Sequence, residues 1–371
     1  MVYYIMWKDI PTIEFNLETL TVKFLNRELA PFCVRNMQED FSVVRVFCSN
    51  RMLMVNRVYC KEILTSCGVD DQTDVGICIM SRALSFRDNY WIKHKDSQEC
   101  WDKINLYSNE FSNDIGITAL TGECCTVNIG DEYYTGELTN KGTRAKCYYR
   151  QGAEVYLIKN ETLNEIIAEV LSYYIAKELG LDSATYAYMQ FYGKDCSVCK
   201  IETSEDYELL LCRSVLQHYK SDMKYNSPYY RMFMEADKRA FLLMQIFDYV
   251  TLNTDRNRDN FGLLLNNNKV LGLYPLFDHD SCFKGKSTSA YYFVTGMSFN
   301  DTLNRIHLDY PIEFESIIIP AVKSLRDWLL NNPMVFEEYL FEKQYNSMLF
   351  RVDDVLSLSK EDTSYEVKCP W

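Results

Sequence analysis

Apolar positions along this chain follow two spacings, and alternation gives way to helical steps as the chain proceeds. Before residue 85, VYYIMW (2–7) and FSVVRVFC (41–48) crowd β-branched and aromatic residues and read as short strands. One helical run, Tyr59 to Cys67, ends at Gly68, and the polar cluster Asp70 to Asp74 reads as a turn or loop. RDNYWIKH (87–94) and WDKINLYSNEFSNDIG (101–116) are rich in aromatics and amides without a clear period, which predicts an irregular, well-packed connection. In TGELTNKGTRAKCYYR (135–150), Gln151-Gly152 and AEVYLIK (153–159), the pattern is strand, tight loop, strand, turn, strand.

The spacing then predicts a long helix from Asn160 to Gly180. Leu163, Ile166, Ile167, Val170, Leu171, Tyr174, Ile175 and Leu179 recur at steps of three and four, with Asn160 as cap and Gly180 as stop. Strands follow at TYAYMQFY, DCSVCKI and YELLLC. After Ser214 the pattern is helical, with Ala236 to Leu252 apolar along one face. FGLLL, NNNK and VLGLYPLFD read as a hairpin, and residues from about 311 to 360 as helix. A β-rich first part with one inserted helix, then a mostly helical part, predicts a two-lobed α+β arrangement.

With 371 residues, three regions are expected: an accessory α/β region over 1–85, a β-rich lobe with its connecting segment over 86–213, and a helical lobe over 214–371. The net charge of -13 changes the picture of partners. A phosphate-backbone binder needs a basic face, so the balance argues against direct nucleic-acid binding. No run of eighteen apolar residues occurs, so no membrane span is expected, and MVYYIMW lacks the basic flank of a signal peptide. The 14 cysteines read as reduced thiols in a cytoplasmic protein. Cys196 and Cys199 form a lone C-x-x-C without the second pair of a zinc site, so apolar packing is the expected role.

The stretch NTDRNRDNF (253–261) concentrates cation-binding groups immediately before an apolar run. Asp255 and Asn260 stand five apart, the spacing of a kinase catalytic loop, in which the Asp faces the substrate hydroxyl and the Asn a metal. The hairpin that follows returns the chain and delivers Asp278 in PLFDHD as a second oxygen ligand. Magnesium takes few ligands from protein and fills the rest with phosphate and water. Upstream, Lys159 closes a strand and Glu169 lies on the next helix, as in the lysine–glutamate pair that positions nucleotide phosphates. Glu165 is the rival partner, one turn earlier. LTNKGTRAK before that strand would be the phosphate-covering loop. Arg256 is expected to pair with a local carboxylate or backbone, and His279 to have a structural role.

These residues, in this order, resemble the HipA-like serine/threonine kinases, from about residue 84 to about 285 and onward through the helical C-terminus. Thr139-x-x-Gly142-x-x-x-Lys146 resembles the family's Ser-x-x-Gly-x-x-x-Lys loop. LIK (157–159), Glu169 and AKELGL (176–181) resemble its lysine, glutamate and A-K-E-L-G-L. Asn253 to Phe261 with PLFD resembles N-x-D-R-H-x-x-N-F followed by a hairpin and L-Y-D. LSFRDNYWIKH and INLYSNEFSNDI look like the connecting region of long bacterial HipA-domain proteins without a clear toxin N-terminal domain. The resemblance implies a bilobal protein-kinase-like fold and transfer from ATP with Mg²⁺ to Ser or Thr of a protein substrate. It implies Lys159, Gly142, Thr143 and Lys146 on the nucleotide, Glu169 as the partner of Lys159, Asp255 as catalytic base, and Asn260 and Asp278 on metal. It also implies autophosphorylation at Thr139, which would eject the loop and silence the enzyme. A role in growth control, toxin–antitoxin pairing or phage conflict, with an antitoxin or regulatory partner, comes from the same likeness.

One departure is Asn257, which stands where the family has His; an amide hydrogen-bonds with shorter reach and no ring to pack. Two alternative readings follow. A nucleotide-binding pseudokinase acting as an interaction module draws on that change. A lipid or small-molecule kinase shares the D-R-H-x-x-N loop, against which stands the lack of a basic membrane patch.

Overall fold

The computed structural model describes residues 1–69, 72–125, 134–285, 287–333 and 342–361. Asp70 and Asp71 of the expected loop, and 334–341 of the expected helical stretch, lie outside the described residues. Two compact units form: residues 1–162 with 186–220 and 264–271, and residues 163–185 with 221–263 and 272–371.

The first unit begins with strands β1 (Val2–Trp7), β2 (Ile10–Asn16) and β3 (Val22–Phe24), followed by helices α1 (Ser42–Ser49), α2 (Cys60–Ser66) and α3 (Asp74–Met80). Strand β4 (Tyr90–His94) completes an antiparallel sheet in the order β3-β2-β1-β4. Helices α4 (Trp101–Ile104) and α5 (Asn113–Thr121) precede β5 (Lys146–Gln151) and β6 (Glu154–Asn160). Helix α6 (Leu163–Glu178) belongs to the second unit. The chain then returns with β7 (Tyr186–Phe191), β8 (Lys194–Lys200), β9 (Tyr207–Leu211) and helix α7 (Cys212–Tyr219). A second antiparallel sheet runs β5-β6-β8-β7.

Three expectations are corrected here. FSVVRVFC is the helix α1, not a strand: Val43, Val44, Phe47 and Cys48 are all buried, a one-face helical spacing whose packing outweighs β-branched preference. The segment expected to be irregular carries β4 and two helices, and Ile92 of β4 joins Ile5, Ile13 and Phe15 in one apolar cluster. TGEL is a short 3₁₀ turn over Glu137–Thr139 rather than a strand. Its register is set by anchoring to neighbours, described below, instead of by a ladder. A further cluster joins Met6, Phe86, Trp91 and Trp101 to Tyr148 and Val155, so the sheets share apolar packing.

In the second unit, α6 begins at Leu163; Asn160 closes β6 instead of capping the helix, and Gly180 takes φ +72° just past its end. Helix α8 (Pro228–Thr251) is interrupted at Asp237, whose Oδ1 accepts the Ala240 N–H at 2.9 Å and restarts it. Strands β10 (Gly262–Asn266) and β11 (Lys269–Leu273) are joined by Asn267-Asn268, both at positive φ, the geometry of a two-residue hairpin. The hairpin tip, residues 264–271, belongs to the first unit, where β10 pairs with β9. Short strands β12 (Tyr291–Tyr292) and β13 (Met297–Ser298) lead to α9 (Phe299–Asp309), the one-turn α10 (Pro311–Glu313), α11 (Ile319–Asn331) and α12 (Glu342–Glu361). No helix among the described residues is long and apolar enough to cross a membrane.

Candidate functional site

Helix α8 ends with Leu252 at φ +51°, which turns the chain sharply into NTDRNRDNF. The stretch is held from below by a buried ion pair. Arg256 and Asp248 both have fully buried side chains, with Nη2 3.1 Å from Oδ1. Arg256 also donates to the carbonyls of Asn260 at 2.8 Å and Phe277 at 2.9 Å, and its Nη2 lies 3.2 Å from His279 Nδ1. One guanidinium thus ties the 253–261 stretch to the segment that carries Asp278. Its rigid fork of donors suits three acceptors in fixed directions, as an ammonium would not. Asp248 further accepts from Asn253 Nδ2 at 3.2 Å and Tyr292 Oη at 2.5 Å. Burial pushes the Asp248 carboxyl above its ordinary range, and the charge of Arg256 pulls it back.

Above this anchor the polar groups converge. Asn260 Nδ2 donates to the Asp255 carbonyl at 2.7 Å and to its Oδ2 at 3.3 Å. Asn257 Nδ2 reaches the carbonyl and Oδ1 of the same residue, both at 3.2 Å. Desolvation raises the Asp255 carboxyl; the Asn257 hydrogen bond lowers it, and the charges of Asp278 and Asp280 raise it again. Asp255 therefore lies in the field of two further carboxylates. Asp278 holds a left-handed backbone at φ +63°, uncommon for a residue with a side chain and best tolerated by Asp and Asn.

Glu169 is fully buried on α6, and its Oε2 accepts the His279 N–H at 2.7 Å, one residue past Asp278. The ring of His279 is wholly buried, with Nε2 3.2 Å from Ser183 Oγ and Phe247 packed against it. Glu165 is 3.0 Å from Lys284 Nζ. Asp255, Asn260, Asp278 and Glu169 thus all belong to the second unit.

Lys159, Thr139, Gly142, Thr143 and Lys146 belong to the first. Lys159 is buried on β6, opposite Lys146 on β5 and Ser197 on β8. Its Nζ lies 3.9 Å from Glu161 Oε1 and 5.3 Å from the Tyr186 ring centroid, and Glu161 Oε2 accepts the Ser197 hydroxyl. In the loop, Thr139 is 1% exposed and its hydroxyl donates to the Leu84 carbonyl at 2.5 Å. Gly142 has φ +119°, and a Cβ there would stand 2.5 Å from Lys146 Nζ. Only glycine permits that backbone without strain.

Asp248, Tyr292, Ser183 and Glu161 were not singled out from sequence. Asp248 carried a usable signal: it is the single acid in LLMQIFDYVT, and an acid inside an apolar helical run is buried with a partner. The partners of Tyr292 and Ser183, 44 and 96 residues away, left none.

No protein-family model matches the chain, and none of the curated proteins does. Among solved structures the chain is similar to HipA in the Shewanella oneidensis toxin–antitoxin complex of HipA, HipB and operator DNA. That match covers 99% of this chain and 100% of that one, with a TM-score of 0.58 and 12% identity. It is also similar to the Helicobacter pylori proinflammatory kinase CtkA, over 59% of this chain and 93% of that one, with a TM-score of 0.45 and 19% identity. The mixed α+β fold is thus similar to that of HipA.

Proposed function

We propose that this chain is a serine/threonine protein kinase that transfers the γ-phosphoryl group of ATP with Mg²⁺. The observation that carries the reading is the Asn260–Asp255 hydrogen bond above the buried Arg256–Asp248 pair, with Arg256 bonded both to the Asn260 carbonyl and to the Phe277 carbonyl just before Asp278. Phosphoryl transfer asks little covalent chemistry of a protein and much positioning, so a rigidly anchored set of oxygen ligands is the feature to look for.

The residues fit a magnesium ion. The charges of Asp278 and Asp280 raise the affinity of the Asp255 carboxyl for positive charge, and the side chains bonded to Asp255 are the neutral amides Asn257 and Asn260. Among the described residues no three His, Cys, Asp or Glu side chains could hold a metal by themselves. Magnesium needs only one or two protein oxygens, which Asn260 and Asp278 would provide. When bound, it would offset charge on the phosphate oxygens.

Asp255 would accept the proton of the attacking Ser or Thr hydroxyl as the new O–P bond forms and the bond to ADP breaks. Lys159, on its buried strand, would hold the nucleotide phosphates, with Glu169 as its carboxylate partner. Gly142, Thr143 and Lys146 would cover them. In chain order, residues 1–85 would be accessory, 86–213 the nucleotide-covering lobe and 214–371 the catalytic lobe. Thr139 would be the autophosphorylation site; its buried hydroxyl requires the loop to leave its packing first. A protein partner, as HipB is to HipA in the complex above, belongs to the same reading.

The test is labelled ATP with Mg²⁺ on the full chain and its Asp255→Ala variant, with mass spectrometry of the product. Label that depends on Asp255, with phosphate at Thr139, is expected. Nucleotide binding by wild type without transfer would refute the kinase reading in favour of a pseudokinase.

A further inference from the structure

The loop from Glu137 to Lys146 is held by a residue far from it in sequence. Arg57 is buried, with its side chain entirely out of solvent. Its Nη1 donates to the Asn140 carbonyl at 2.7 Å, and its Nη2 to Glu137 Oε2 at 3.3 Å and to the Lys146 carbonyl. One guanidinium therefore grips both ends of the loop, at Asn140 and at Lys146. Glu137 completes the clamp: Oε1 accepts the Tyr148 N–H at 2.6 Å, and Oε2 accepts Asn140 Nδ2 at 3.1 Å. Burial pushes its carboxyl up, and Arg57 is the largest influence opposing this.

The segment around Arg57 runs along the same loop. The Leu53 N–H donates to the Leu138 carbonyl and the Val58 N–H to the Thr143 carbonyl, each at 2.8 Å. Next to it, Tyr59 is left-handed at φ +61°, sparsely populated for a bulky residue. Its ring leaves no room for a Cβ at Gly122, 2.6 Å away. The turn that aims Arg57 is thus fixed by packing against α5's end. Arg57 Nε, buried, has no acceptor among the described residues. Its two terminal nitrogens are aimed at carbonyls of the loop.

We propose that Arg57 is the positioning residue of the 137–146 loop, through which residues 53–59 control whether the loop can cover nucleotide phosphates. This deepens the kinase reading and rests on it for the nucleotide part. A lysine cannot replace Arg57, because a single ammonium does not reach Glu137 and two separated carbonyls together.

The experiment is hydrogen exchange on the full-length protein and its Arg57→Lys, Arg57→Met and Glu137→Gln variants, alongside ATP kinetics. Exchange of loop amides 138–145 should rise roughly ten- to a hundredfold in both Arg57 variants, and less in Glu137→Gln, while α8 keeps its protection. KM for ATP should rise about tenfold with kcat within about twofold, since positioning of the bound phosphates is what weakens. Trypsin should cut the variants first at Lys141 or Arg144. Unchanged loop exchange in Arg57→Lys overturns the proposal, as does equal loosening of β5, β6 and the loop. Selective loosening in a protein whose wild type takes up no ATP would retain the clamp and reject the kinase reading. Should Arg57→Met fail to fold, Glu137→Gln, which keeps an acceptor for Tyr148, carries the same comparison.

Discussion

Glu208 on β9 is the carboxylate whose environment makes the sharpest quantitative claim. It is 3% exposed, and its Oε1 accepts Trp7 Nε1 at 2.8 Å and Asn89 Nδ2 at 2.6 Å. Desolvation and the nearby charge of Asp88 push its pKa up from 4.5 to about 7, against the two hydrogen bonds. Below the ordinary value the carboxyl is protonated folded or unfolded, and no pH dependence arises from it. As pH rises, the unfolded chain releases the proton first and the folded chain holds it until about 7. The folded state then binds more protons, so stability falls with pH across that window. At 1.36 kcal/mol per unit, the full loss is roughly 3 kcal/mol, most of it between about pH 5 and about pH 8. Glu208→Gln removes the titration while keeping the carbonyl that accepts from Trp7. Urea unfolding of both proteins at the two pH values should give similar stabilities at the acid end and a variant more stable by about 2–3 kcal/mol at the alkaline end. A difference that does not change with pH would show that Glu208 is charged throughout and that the burial argument is wrong.

Two further outcomes are expected from the fold. Arg256→Ala strands the buried Asp248 carboxylate and should cost about 3–5 kcal/mol in denaturant unfolding, whereas cutting an exposed pair such as Lys200–Glu154 should leave the unfolding midpoint unchanged. Asn267→Ala forces alanine to φ +46° in the hairpin turn and should cost about 1–2 kcal/mol, while Asn267→Gly should be neutral within about 0.5; equal effects would mean that the turn is not left-handed.

Much of the secondary structure was legible because it is periodic. The α6 stripe, the Asn-Asn hairpin and the strands around Gln151-Gly152 each place apolar residues at the spacing that buries one face. The site candidates were legible for a different reason: Asp255, Asn260 and Asp278 are bound to one short hairpin, so their spacing alone implies proximity. The helix α1 was misread because Val43, Val44 and Val46 favour strands in isolation, and only the core that receives Val43, Val44, Phe47 and Cys48 decides for helix.

Tertiary structure alone decided what holds these pieces in place. Arg57 and Glu137 meet across 80 residues and Asp248 and Tyr292 across 44, while Glu169 closes on His279 across 110. No period encodes such pairs, since a hydrogen bond carries no memory of chain separation. What selects them is the penalty for leaving a charged group buried and unpartnered, and that penalty exists only once the core has closed around it.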